Sequence, residues 1–295
     1  MKKRSLREMT CPLLLSATLA VASTGAQAAS IDIPVTNPGA ETGDLTGWTS
    51  TKTNWPTDDY SAINDSTESP EGAYYFGLDP SVFPSNALDF ANGTYPPTYS
   101  LKSAKLNLPS FAGTLDDIFV SGWSRDSGLT LVLEDWDASA VYEYELRQVF
   151  SVTLYDASNN YLGGLGYYTW RSTDWAWAER NFSWWSQWDA KKDQISSIEL
   201  RFETKISNWG PWDSSTPDLN TIDPSSIDDA YYTWIGRDGN SYQGSLADYS
   251  GDQLPVIGFD DVGLRITTVP VPAAVWLFGS GLVAFLSLGR KGRST

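Results

Sequence analysis

Residues 259–266 read Phe-Asp-Asp-Val-Gly-Leu-Arg-Ile. Taken two apart, Asp260, Val262, Leu264 and Ile266 fall on one side of an extended chain, and Phe259, Asp261, Gly263 and Arg265 on the other. This period of two predicts a strand with one buried edge. Asp260 is the anomaly at the head of that edge. A buried carboxylate costs several kcal/mol, roughly, unless it is paired, hydrogen-bonded or held on a metal. The other reading puts Asp260 at the rim of the strand, in water.

The rest of the middle follows the same rhythm. Short β-rich runs at 101–108, 117–123, 129–133, 145–154, 161–170, 195–203 and 256–266 are separated by Gly, Pro, Asn and Asp. No long amphipathic helical pattern interrupts them, so the fold class is all-β, a sandwich. One hairpin is legible in detail. Phe150, Val152 and Leu154 alternate with polar residues, the turn is Asp156-Ala157-Ser158-Asn159-Asn160, and the return strand opens at Tyr161. Asn and Asp tolerate left-handed backbone and cap their own turns.

A second signature stands near the start. Residues 37–48 read Asn-Pro-Gly-Ala-Glu-Thr-Gly-Asp-Leu-Thr-Gly-Trp. With 259–264, this stretch resembles the opening and closing strands of galactose-binding-like jelly rolls, among them several carbohydrate-binding modules. Pro38 and Ala40 depart from the Gly and Phe usual there. The resemblance covers two short ends and implies one jelly-roll-like domain over residues 29–268, with long loops. It also implies a structural calcium ion at Glu41 and Asp260, helped by backbone carbonyls. Calcium takes six to eight hard oxygens, and the sequence offers two. Satisfaction of the carboxylates by backbone N–H groups is the competing account.

The chain has 14 Trp, and they cluster. Trp170, Trp175 and Trp177 precede Trp184, Trp185 and Trp188, and these six are the candidate ligand contacts. Aromatic faces stack on sugar rings, and Arg171, Asp174 and Gln187 lie nearby for hydroxyls. The opposing reading is that rings in a β-sandwich are core.

Composition narrows the chemistry. There is no His, and the one Cys, Cys11, lies near the N-terminus. Ser-His-Asp and Cys-His catalysis and imidazole metal sites are therefore excluded. The net charge of −16 is made less negative by bases at both ends, so the middle is more acidic still. Such a surface repels phosphate backbones and argues against nucleic acid. Glu134, Asp135, Asp137, Glu143 and Glu145 could form a glycosidase-like carboxylate pair. Nothing in the sequence singles out an acid from a base among them, so the expectation is a protein without catalytic residues.

The ends predict location. Lys2, Lys3, Arg4 and Arg7 precede an apolar run and Ala26-Gln27-Ala28, the three-part pattern of a signal peptide over residues 1–28. At the other end, Val269 to Leu288 is uncharged and Arg290, Lys291 and Arg293 follow. Twenty such residues reach across a bilayer core, and the bases stay inside. Val269-Pro270-Val271-Pro272, with Trp276, Gly279, Gly281, Arg290 and Lys291, resembles the PEP-CTERM sorting signal of Gram-negative bacteria. Residues 269–295 would then be recognised by an exosortase, after a transient stay in the inner membrane. The resemblance implies a cell-surface or extracellular-matrix protein. The sequence-based expectation is thus an exported protein that binds or organises exopolysaccharide. A structural matrix protein without a ligand and a polysaccharide hydrolase are the alternatives.

Overall fold

The computed structural model describes residues 28–53, 60–80, 98–111, 113–136, 140–168, 172–207 and 222–269. The segments expected to be a signal peptide (1–28) and a sorting signal (269–295) lie outside these, apart from Ala28 and Val269, the last residue of the final strand. Among the described residues no helix is long and apolar enough to cross a membrane.

Fifteen strands are described: β1 (Ala29–Ile33), β2 (Trp48–Thr53), β3 (Ser61–Asn64), β4 (Tyr74–Gly77), β5 (Thr98–Ser103), β6 (Leu106–Asn107), β7 (Thr114–Arg125), β8 (Thr130–Asp135), β9 (Val141–Tyr155), β10 (Tyr161–Tyr168), β11 (Ala176–Asn181), β12 (Ser197–Ser207), β13 (Ile227–Ile235), β14 (Ser241–Gly244) and β15 (Gly258–Val269). A six-stranded sheet runs β11-β7-β15-β4-β3 with β1 as its sixth strand. A nine-stranded sheet runs β14-β13-β8-β9-β12-β5-β2, with β10 on β9 and β6 on β12. Residues 32–109 and 117–265 form one compact unit, which contains every site described below. Of the described residues, 28–31, 110–111, 113–116 and 266–269 belong to a second unit.

Aromatic rings join the two sheets. Phe150 of β9 and Phe202 of β12 lie 4.8 Å apart, and Phe259 of β15 meets Phe202 at 4.9 Å and Phe150 at 5.5 Å. Trp48 of β2 reaches Phe76 of β4 at 5.1 Å. Each such ring contributes about 1.5–3 kcal/mol by leaving water.

The hairpin forms as its sequence predicts. β10 pairs antiparallel with β9, and Phe150, Val152 and Leu154 are buried. Asp156 caps the turn, its carboxylate accepting from the backbone N–H of Ser158 and Asn160 at 2.9 and 2.8 Å, while Asn159 is left-handed. The final strand departs from strict alternation. Asp261 has a φ of 44°, so Phe259 and Asp260 are both buried before Val262, Leu264 and Ile266 resume the pattern. The sequence pattern had placed Phe259 on the opposite side. One left-handed residue breaks the two-fold alternation and turns its ring into the core.

Candidate functional site

Asp260 lies in the interior, with no exposed surface, which overturns the rim reading. Its carboxylate accepts from Ser69 Oγ at 2.9 Å and from the N–H groups of Asp261 and Glu71 at 2.8 and 3.3 Å. Burial first, then the charge of Glu41, pushes Asp260 up to about 7 against those hydrogen bonds. Glu41 itself accepts from the N–H groups of Ala73 and Tyr74 at 3.0–3.1 Å. Two glycines make room for these carboxylates. A Cβ on Gly72 would stand 2.3 Å from the Glu41 carboxylate, and one on Gly39 would stand 2.5 Å from Asp260 Oδ1. The structure therefore brings Glu41 and Asp260 to the same stretch of chain, residues 69–74. Among the described residues no group of three or more Asp, Glu, Cys or His is placed to hold a metal. A cation held there would draw its remaining ligands from backbone or hydroxyl oxygens. Each oxygen of the two carboxylates already accepts from a backbone N–H or from the Ser69 hydroxyl, which is the competing, ion-free account of the pair.

The six tryptophans do not make one platform. Trp188 is only 4% exposed and belongs to the core, because it starts the short helix Trp188–Lys191 with its ring turned inward; this corrects its place among the contacts. Trp175 is half-buried against Tyr75, 5.3 Å away. Trp185 is half-buried where Gly163 lacks a side chain, with Lys191 Nζ 5.4 Å from its ring. Trp184 is 57% exposed at the edge of the sandwich, beside Tyr167. Trp170 lies outside the described residues.

Trp177 is different. It is 47% exposed and sits on β11 directly opposite Trp123 of β7, the rings 5.5 Å apart and edge to face. Period two then fixes the surface around the pair. Glu179, two residues along, pairs with Ser121, and Phe119 follows in register with Asn181. Arg265 of β15 lies over the Phe119 ring at 4.2 Å and donates from Nη2 to both Glu179 oxygens at 2.9 Å. Next to this pair is a groove of about 310 Å³ whose lining includes Ser121, Glu179, Asp261, Gly263 and Arg265. An exposed indole, a planar carboxylate–guanidinium pair and a hydroxyl thus share one face. Sugar recognition uses such groups, the ring for the C–H face and the polar groups for hydroxyls.

Trp123, Ser121, Glu179 and Arg265 were absent from the sequence-based candidates. The signal was present: 119–123 and 177–181 both alternate, but their pairing in register is a tertiary fact. Of the suspected acids, Glu134 accepts from the Tyr231 hydroxyl at 2.8 Å, Glu145 pairs with Arg147, and Asp137 lies outside the described residues.

The class these features define is an all-β sandwich carrying an open surface of aromatic and polar side chains. No protein-family model matches the chain, and no curated protein matches it; the sorting-signal resemblance therefore stands on its own residues. Among solved structures the chain is similar to the enzymatically active domain of bacteriophage CBA120 tailspike protein 4. The identity is 8% and the TM-score 0.41, over 79% of this chain and 21% of that one; the chain spans about a fifth of the tailspike's length. It is also similar to TmCBM61, solved with β-1,4-galactotriose (12% identity, TM-score 0.37, 79% of this chain and 97% of that one). A third likeness is to the CBM22-2 xylan-binding domain of Paenibacillus barcinonensis Xyn10C (10%, TM-score 0.26, 70% and 97%).

Proposed function

We propose that this protein is a non-catalytic polysaccharide-binding protein of the bacterial exterior, and that the Trp177 face of the six-stranded sheet holds the sugar. The observation that carries this reading is the half-exposed Trp177–Trp123 pair, in register two residues from the Glu179–Ser121 pair, with Arg265 ion-paired to Glu179. A ring of that size left in water on a packed sheet is a natural anchor. In the same reading residues 1–28 export the chain, and an exosortase processes it at residues 269–295. Glu41 and Asp260 would hold calcium, which would pin the 37–48 loop to the last strand. No step of binding is routed through that ion.

Affinity electrophoresis through neutral polysaccharides (galactan, xylan, glucan) tests the reading. The protein is expected to be retarded by at least one of them, and Trp177→Ala to lose about tenfold in affinity while its melting temperature holds. Equal retardation of wild type and Trp177→Ala would contradict it.

A further inference from the structure

A larger cavity, of about 690 Å³, opens at the β13–β14 end of the nine-stranded sheet and shares no lining residue with the groove beside Trp177. Three segments wall it: the β13–β14 hairpin, Gly128 in the turn between β7 and β8, and residues 172–173 ahead of β11. Backbone bonds tie these segments together. The Ile235 N–H donates to Ser127 O at 2.9 Å, and the Asp126 N–H donates to Ser172 O at 3.3 Å. The hairpin is also braced by its own rings. Trp234 stacks on Tyr242 with centroids 5.9 Å apart, Tyr249 meets both rings edge to face, and Trp234 Nε1 donates to Gln253 O at 2.7 Å. The walls are set before any ligand arrives, so binding would not have to order them.

The chemistry of the lining narrows the ligand. Among the described residues it carries no charged side chain, in a chain with 36 acids and 20 bases. It presents instead Ser172, Thr173, Thr233, Ser241 and Gln243, and none of these five side chains hydrogen-bonds another described residue. The antiparallel register gathers them. Gln243 stands opposite Thr233 and Ser241 opposite Ile235, so these four share one face of the hairpin. Hydroxyls and primary amides each donate and accept. Sugar hydroxyls do the same, and so match the lining group for group. A carboxylate or phosphate calls for cations and a metal ion for carboxylates, and the described lining holds neither. A wholly apolar ligand would strand five polar groups out of water, at about 1–3 kcal/mol each. Ile235 and the half-buried Tyr242 ring supply what apolar surface the C–H face of a sugar needs.

We infer that this cavity is a second binding site, for an uncharged saccharide, distinct from the Trp177 face. Thr233, Ser241 and Gln243 meet hydroxyls from the hairpin, and Ser172 and Thr173 meet them from the segment ahead of β11. The inference goes beyond the proposed function and shares only its ligand class: one molecule engages polysaccharide at two places. The loss of about tenfold, rather than of all affinity, expected for Trp177→Ala leaves binding for this cavity to supply.

The experiment titrates the whole protein carrying Trp177→Ala with galactan, xylan and glucan oligosaccharides and follows the Gln243 side-chain amide by NMR. At least one oligosaccharide should bind saturably and shift that amide. Gln243→Ala and Thr173→Ala, both at exposed positions, should each weaken the residual binding about threefold to tenfold, as loss of a neutral hydrogen bond or two does, with the melting temperature unchanged. Because the lining is uncharged, the affinity should hold as sodium chloride rises. No residual binding in Trp177→Ala, binding that leaves the Gln243 amide still, binding that falls with salt, or binding untouched when Gln243→Ala and Thr173→Ala are combined would overturn the inference. The Trp177 reading fails by a different result: Trp177→Ala binding as tightly as the wild type, whatever the cavity variants do.

Discussion

The outer faces of the two sheets are built by the same alternation and leave different chemistry to the solvent. On the six-stranded sheet, β11 and β7 put Trp177 and Trp123 side by side, with Glu179 and Arg265 beyond them. On the nine-stranded sheet, β9 and β12 put Arg147 beside Glu145 and Arg201 beside Glu203, ion-paired neighbours along the strand direction. Both faces carry ion pairs, and the first adds a half-exposed pair of tryptophan rings. The backbone decides which positions point outward; the residue type at those positions decides what can be held there.

The largest expected effect separates the exposed ring from its buried relative. Trp188→Ala should cost about 3–5 kcal/mol of stability, as deletion of a core ring does, whereas Trp177→Ala should cost well under that in chemical denaturation. Comparable losses would place Trp177 among the packing residues and end the contrast between the faces.

The corner of Glu41 and Asp260 supplies the next effect, and its sign can be worked out. In the fold Asp260 keeps its proton up to about pH 7, while an unfolded Asp loses it near 4. Between those values the folded state binds the extra proton, so metal-free stability falls as pH rises, by at most about 1.4 kcal/mol per pH unit. The contribution is fully present below about pH 4 and lost as pH climbs through 7. Thermal melts in a chelator from pH 5 to 8 should show this decline for the wild type and a flatter curve for Asp260→Asn. Calcium should restore the melting temperature most at the alkaline end. A melt indifferent to both calcium and chelator at pH 8 would leave Asp260 to Ser69 Oγ and its two backbone donors.

The smallest effect concerns the ion pair beside Trp177. Glu179 and Arg265 are both partly exposed, so Glu179→Gln should shift stability by only a few tenths of a kcal/mol, roughly, as surface pairs do. Its effect on neutral polysaccharide should be larger than on stability, about two- to fivefold in affinity, because the planar acceptor and the guanidinium it orients are altered together. A stability loss without an affinity loss would make the pair a strut rather than a contact.

Much of this was legible from the residues. The β9–β10 hairpin, its turn and its three buried side chains follow from alternation and from Asp and Asn chemistry. Strands β7, β8, β12 and β15 overlap the predicted runs. The strands missed were short, such as β3 and β4, or headed by acids, such as β13 with Asp228 and Asp229 at its start. Their signals depend on partners that local sequence does not name. At the candidate site, Glu41, Asp260 and Trp177 were among the residues named from sequence, but clustering in sequence misled for the other rings. Trp184, Trp185 and Trp188 are near neighbours along the chain, and the turn and helix they occupy send one to solvent and one to the core. Arg265 could not be tied to Glu179, because 86 residues separate them and only the sheet order brings them together.

The most direct measurement follows the indole N–H resonances of the protein while a retarded neutral oligosaccharide is added. The account predicts that the signal missing in Trp177→Ala shifts on binding, together with that of Trp123, while the buried Trp188 signal stays still. Saturating binding that leaves the Trp177 signal where it was would contradict it.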